Sequence, residues 1–135
     1  MVIDSSVTLA WLYDDERTAS VERVFDEVVA EGAWVPGLWR LEIANGLQQA
    51  IRRRRIDAGF RTRAIAYLTE LDISIDPETT ACAWTSTLAL ADRFGLTPYD
   101  ACYLELAQRR MLPIASLDND LRAAAEQLHL PVLGL

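Results

Sequence analysis

The chain has 135 residues, is 51% hydrophobic and carries a formal net charge of −7, which points to one domain with a sizeable core. No apolar run approaches the roughly 18 residues of a membrane span, and Asp4 interrupts the first apolar residues, so the expectation is a cytoplasmic protein without membrane helix or signal peptide. All 13 basic residues are arginine, which excludes any lysine-based mechanism; the acidic balance excludes non-specific, affinity-driven nucleic-acid binding but not a nuclease whose acids are neutralised by bound metal.

Met1 to Ile3 reads as a buried strand, followed by a helix over Ser6 to Leu12 with Asp4 or Ser5 as its N-cap. Asp14-Asp15-Glu16 is a polar break. Val21, Val24, Phe25, Val28 and Val29 recur at helical spacing over Thr18 to Ala30, and Glu31-Gly32 ends that helix. Ala33 to Pro36 is a second short strand, closed by a proline that cannot donate to a ladder. Leu38 to Arg54 is expected as a helix with Leu41, Ala44, Leu47 and Ile51 on its apolar side. Asp57 can cap a further helix to Glu70.

Ile73 to Ile75 is a third strand. Pro77 at a first helical position predicts one helix through Phe94, stopped by Gly95. Thr97-Pro98 opens another through Arg110. Leu112 to Leu117 is a fourth strand, Asp118 opens a helix through Leu128, and Pro131 to Leu133 is a fifth strand at the sheet edge. Cys82 and Cys102 read as buried free thiols; with a single histidine they make no zinc site. Short apolar strands alternating with helices specify an α/β fold with a mostly parallel sheet. In such sheets ligands bind beyond the carboxyl ends of the strands, where Asp4 and Asp118 both sit.

Three acids have a local explanation. Asp4 can be an N-cap. Asp100 stands three residues after Thr97, the spacing of a capping box, and Asp118 can cap its helix and pair with Arg122. Glu42 has none: its neighbours at three and four residues are Leu38, Trp39, Asn45 and Gly46, so no intrahelical ion pair is open to it. Such a carboxylate either reaches water at the edge of its face or needs a cation. Asn45, one turn on, could hold Glu42 or a bound water. A hard cation relieves the repulsion within a carboxylate cluster, and oxygen-only ligands select magnesium or manganese over zinc.

Four pieces carry a resemblance: Val2-Ile3-Asp4-Ser5-Ser6; Pro36 with Leu41-Glu42-Ile43-Ala44-Asn45; Leu96-Thr97-Pro98-Tyr99-Asp100-Ala101-Cys102-Tyr103-Leu104; and Leu112-Pro113-Ile114-Ala115-Ser116-Leu117-Asp118. In this order and spacing they resemble the PIN-domain ribonucleases, specifically VapC-type toxins of type II toxin–antitoxin pairs, over nearly the whole chain. The resemblance implies a three-layer α/β/α fold with five strands in the order 3-2-1-4-5. It implies a catalytic magnesium or manganese site from Asp4, Glu42, Asp100 and Asp118, with Asn45, Ser116 and Ser5 in support. It further implies an RNA substrate (tRNA, rRNA or mRNA), a homodimer and a small VapB-like antitoxin that blocks the cleft. Ser116 stands where such proteins often have Thr, and Met111 where a Gly often ends the helix. Asp120 reads first as a first-turn helix residue and second as a ligand of a second ion.

Arg52-Arg53-Arg54-Arg55 is the only basic run, either a solvated helix end or a phosphate-tracking edge beside the cleft. Trp11, Trp34, Trp39 and Trp84 are mostly core by expectation, with some left for an interface. A receiver-type domain needs a lysine that is absent, and a haloacid-dehalogenase-like phosphatase needs Asp-x-Asp after its first strand, where this chain has Asp4-Ser5-Ser6. The remaining alternative is a catalytically silent PIN-like module that binds nucleic acid or protein.

Overall fold

The computed structural model describes residues 1–133. Its elements are β1 (Val2–Ile3), α1 (Ser5–Leu12), α2 (Ala19–Glu31), β2 (Ala33–Val35), α3 (Trp39–Arg52), α4 (Ala58–Thr69), β3 (Ile73–Ile75), α5 (Thr79–Cys82), α6 (Ser86–Phe94), α7 (Pro98–Arg110), β4 (Ile114–Ala115), α8 (Asn119–Gln127) and β5 (Val132–Leu133). The strands form one sheet in the order β3-β2-β1-β4-β5, with every pairing parallel. The chain crosses the sheet one way from β1 to β3 and the other way from β3 to β5. Right-handed connections therefore put α1–α4 on one face and α5–α8 on the other, giving three layers. In keeping with this, α1 packs on α2 and α3, and α7 packs on α6 and α8. The central strands are dry: Val2, Ile3, Ile114 and Ala115 have no exposed surface.

Helix starts follow the capping residues. Asp4, Thr18, Asp57, Thr97 and Asp118 each accept a backbone N–H from the first turn. The expected helix over Pro77 to Phe94 is two helices, because the Thr85 hydroxyl bonds back to the Cys82 carbonyl and Thr85 leaves helical geometry. Trp84 lies at this break and is 90% exposed, whereas Trp11 and Trp39 are core and Trp34 lies under the Arg110 guanidinium. Cys82 and Cys102 are half-buried rather than buried. Helix α3 is also rotated from expectation: Trp39, Ile43, Leu47 and Ala50 face the core, while Leu41 and Ala44 face water. At the end of α7, Met111 takes up the left-handed turn (φ 53°) and is exposed, so its departure from Gly is confined to the turn.

Two features hold α3 in place. Toward α1, Gly46 of α3 meets Leu9 so closely that a Cβ at position 46 would stand 2.6 Å from Leu9 Cδ1. The Trp39 indole also donates to the Thr8 hydroxyl (3.2 Å), which donates in turn to the Asp4 carbonyl (2.9 Å). From the other direction, the Gly37 N–H that precedes α3 donates to Thr79 Oγ1, and Thr79 donates to the buried Asp76 carboxylate. Asp76 is held by Arg109 (2.8 Å) and Arg110 (3.0 Å), and Arg109 also grips Glu105 and Glu78. Burial alone would raise the Asp76 carboxyl; the two guanidiniums outweigh it and hold the group below the ordinary carboxylate range.

Replacing Arg109 with Ala leaves two buried acids short of their counter-charge. Removing one partner of a buried pair costs about 3 kcal/mol, so Arg109→Ala should lower unfolding stability by that order, read as a shift of the urea midpoint.

Candidate functional site

The chain leaves β1 directly into α1, so Asp4 is both the last residue of the strand's path and the cap of the helix. Its carboxylate is 5% exposed and accepts three bonds: Oδ1 from the Ser6 hydroxyl (2.6 Å) and the Val7 N–H (3.0 Å), and Oδ2 from the Ser116 hydroxyl (2.6 Å). Ser116 follows β4 and accepts the Asp118 N–H (3.0 Å), while Ser6 accepts the Leu117 N–H (3.0 Å). The start of α1 and the turn into α8 are thus stitched together through two serine hydroxyls. Arg122 lies behind this turn and donates to the Ser116 carbonyl (2.9 Å). It does not pair with Asp118, as the four-residue spacing had suggested, because its buried guanidinium is committed to that carbonyl.

Glu42 comes from the first turn of α3 and faces α7. The Tyr103 hydroxyl donates to Glu42 Oε2, and the Ser5 hydroxyl lies close to the same carboxylate. Burial pushes the Glu42 carboxyl above its ordinary range; the Tyr103 and Ser5 hydroxyls pull it down, and the charges of Asp100 and Asp4 push it further up. Asp4 is raised too, by burial, against the bonds from Ser116 and Ser6. Tyr103 is pushed up strongly by burial and by Glu42, so it remains a hydrogen-bond donor. Cys102, beside it on α7, is pushed up to about 11 by burial and stays a thiol.

Asp100 and Asp118 sit at helix starts and still serve them. Asp118 Oδ1 accepts the Leu121 N–H (2.8 Å). Asp100 forms half of the expected capping box: its N–H donates to Thr97 Oγ1 (3.1 Å), but its carboxylate accepts the Thr97 hydroxyl (2.8 Å) and not the Thr97 N–H. Asp120 is exposed on the first turn of α8, and Asn45 is exposed one turn beyond Glu42. With Asp100 turned onto Thr97 and Asp118 onto its own helix, no three Asp, Glu, His or Cys side chains among the described residues stand grouped to hold a metal ion.

The chemistry of the donor set nonetheless suits a hard cation. Among the described residues, Asp4, Glu42, Asp100 and Asp118 take part in no ion pair, whereas the buried acids Asp76 and Glu105 are both paired with arginine. Asp4 and Glu42, both raised by burial, lack a positive charge beside them, and oxygen-only donors favour magnesium or manganese.

The basic run is divided by the fold. Arg55 bonds Asp15 (2.7 Å) and Glu16 (2.6 Å) and lies over the Tyr13 ring. Arg54 occupies a left-handed position (φ 59°) between α3 and α4. Arg52 and Arg53 are exposed at the end of α3. Reading the residues in order misses the roles of Tyr103 and Ser6. Tyr103 could have been found from its position one turn beyond Asp100, on the same side of the helix. No signal short of the fold marks Ser6 as the bridge to Leu117.

A PIN domain family model matches residues 1–127. Over 121 residues the chain is 27% identical to Ribonuclease VapC3 of Pyrobaculum aerophilum, across 90% of this chain and 91% of that protein. Its fold is similar to the crystal structure of PAE2754 from Pyrobaculum aerophilum, with a TM-score of 0.69 and 22% identity over 97% of this chain and 81% of that one. At that identity the structural likeness speaks for the fold alone.

The raised Asp4 carboxyl has a consequence for stability without divalent cations. Its folded pKa lies above its unfolded one, so the folded state holds the extra proton and stability falls as pH rises through that window. Asp4→Asn removes this loss. As pH is raised from about 4, the unfolded carboxylate range, to neutrality in chelator, wild type should lose more stability than Asp4→Asn, measured by urea unfolding across a pH series.

Proposed function

Because the chain belongs to the PIN domain family, we propose that it is a metal-dependent endoribonuclease of the VapC type, the toxin of a toxin–antitoxin pair that arrests translation by cutting RNA. The reading makes the chain a single PIN domain working in the cytoplasm. It is supported by the name of its relative, Ribonuclease VapC3, and no described helix is long and apolar enough to cross a membrane. The observation that carries the nuclease reading is the contrast between buried acids. Those at Asp76 and Glu105 are paired with arginine, while the buried Asp4 and the partly buried Glu42 stand near Asp100 with only neutral hydrogen-bond donors.

In this reading Asp4, Glu42 and Asp100 hold the principal ion, and Asp118 holds a second ion or positions the attacking water, with Asp120 within the same turn. Bound magnesium or manganese supplies acidification of water and neutralisation of charge on the phosphoryl oxygens. The protein's own part is positioning. Ser6 and Ser116 fix both oxygens of Asp4. Tyr103 orients Glu42 through its hydroxyl, with Ser5 close to the same carboxylate. Asn45 stands one turn beyond Glu42, at the margin of the same cleft. Hydrolysis in this manner leaves a 5′-phosphate and a 3′-hydroxyl.

The VapC-type reading brings with it a homodimer and a VapB-like antitoxin that covers the acids. The exposed Leu41, Tyr99 and Leu117 flank the residues that carry them and suit a covered surface.

RNA cleavage should require magnesium or manganese and stop on chelation. Asp4→Asn, Glu42→Gln, Asp100→Asn and Asp118→Asn should each lower the rate by at least about 100-fold, and Ser116→Ala and Tyr103→Phe by about 10- to 100-fold through the ligands they orient. Cleavage that persists in chelator and in Asp4→Asn purified the same way would sink the metal assignment. Magnesium binding without cleavage would instead favour the silent module.

A further inference from the structure

We propose that the exposed polar stripe of α3, running from Asn45 through Gln49 to Arg52 and Arg53, is a track for the ribose–phosphate backbone of RNA leaving the acid cleft. The proposal deepens the ribonuclease reading and rests on it for the origin of the strand. Glu42, Asn45, Gln49, Arg52 and Arg53 lie within about 100° of one another around the helix axis, so they form a single stripe along α3. All are exposed except Glu42, which is partly buried at the cleft. The stripe covers about 15 Å from the acid to the arginines at 1.5 Å per residue. At its far end Gln49, Arg52 and Arg53 line a surface depression of about 380 Å³ that contains no acidic residue.

The other arginines near this helix do not share the stripe, and Arg40 stands on the opposite face of α3. Arg55 is held by Asp15 and Glu16, and Arg61 donates to Gln48. Arg54 and Arg63 open onto the opposite side of the tip, in a groove they share with Asp14, Asp15 and Asp57. Among the described residues Arg52 and Arg53 have no ion-pair partner. In a chain of net charge −7, two free guanidiniums on the stripe that begins at the acids are where phosphate can be attracted. The amide of Gln49 both donates and accepts, as a ribose 2′-hydroxyl does, and it sits between the acids and the two cations. A phosphate-reading pair with a ribose-reading amide selects RNA over DNA. The basic run of the sequence thereby separates into Arg52 and Arg53, which face the strand, and Arg55, which braces the fold.

The test uses the full chain carrying Asp4→Asn, with magnesium present, so that RNA is bound and not cut. Fluorescein-labelled RNA oligonucleotides of about 12 and about 4 nucleotides, and the 12-nucleotide DNA of matching sequence, are titrated by anisotropy over a salt series. Arg52→Ala with Arg53→Ala should weaken the longer RNA about tenfold and flatten the plot of log affinity against log salt by about 1.4, the contribution of two single-strand phosphates. The shorter RNA should be unaffected. Arg52→Lys with Arg53→Lys should restore the slope, and Arg23→Ala on α2 should leave it unchanged. Gln49→Leu should reduce the preference for RNA over DNA. An unchanged slope in the double Ala variant, or no binding by the Asp4→Asn protein, overturns the track even if wild type cuts RNA. Equal binding of RNA and DNA overturns the ribose assignment. The expected slope change in a protein whose wild type cuts nothing would leave the track standing and remove the ribonuclease reading.

Discussion

The Asp4 carboxylate is the junction on which the described architecture turns. It lies at the carboxyl end of the central strand, caps α1, and takes a hydroxyl from each of two segments 110 residues apart in sequence, Ser6 and Ser116. A buried anion surrounded by neutral donors is costly for a fold to keep. Here it is kept because the same three bonds align β1, α1 and the β4–α8 turn. Structural cohesion and an uncompensated negative charge are therefore two aspects of one group.

The opposite half of the fold solves the same problem differently. Asp76 also follows a strand and is also buried, yet Arg109 and Arg110 reach it from α7. This ion-paired cluster braces Thr79 and the Gly37 turn, and so the start of α3. Helix α7 serves both regions, with Asp100 and Tyr103 at its start and Arg109 and Arg110 at its end. Charge is distributed along it in the sense its dipole favours, acid first and base last.

What the sequence discloses and what it conceals divide along the range of the interactions. The strand order came only from the PIN resemblance over nearly the whole chain, whereas the α/β class and the caps at Asp4, Thr97 and Asp118 were legible because each rests on spacing within a few residues. The isolation of Glu42 was legible for the same reason, since a missing partner at three and four residues can be read directly. Tyr103 reaches Glu42 across 61 residues, and Ser116 reaches Asp4 across 112, so no local pattern announces them. Asp76 was passed over because its arginines lie 33 and 34 residues away. The inward face of α3 was misassigned because its apolar residues spread over more than half of the helix circumference, and only packing on α1 and α4 selects Trp39, Ile43, Leu47 and Ala50. The break at Thr85 was missed because Pro77 and Gly95 punctuate a stretch that could have run unbroken.

The contact between Gly46 and Leu9 bears on how the cleft can open. With no side chain between them, α1 and α3 approach closely, and the Trp39–Thr8 bond locks the same pair. Asp4 and Glu42 consequently ride on one rigid unit, and their separation is set by helix packing. The remaining acids are tied to that unit by side chains: the turn of Asp118 through the Ser116 hydroxyl that also reaches Asp4, and the start of α7 through the Tyr103 hydroxyl on Glu42. Any widening of the space between the acids therefore has to break these hydroxyl bonds, because the α7 and α8 starts are seated against a fixed anvil of α1 and α3. A bulkier residue at position 46 would loosen the anvil, and would do so without touching any acid.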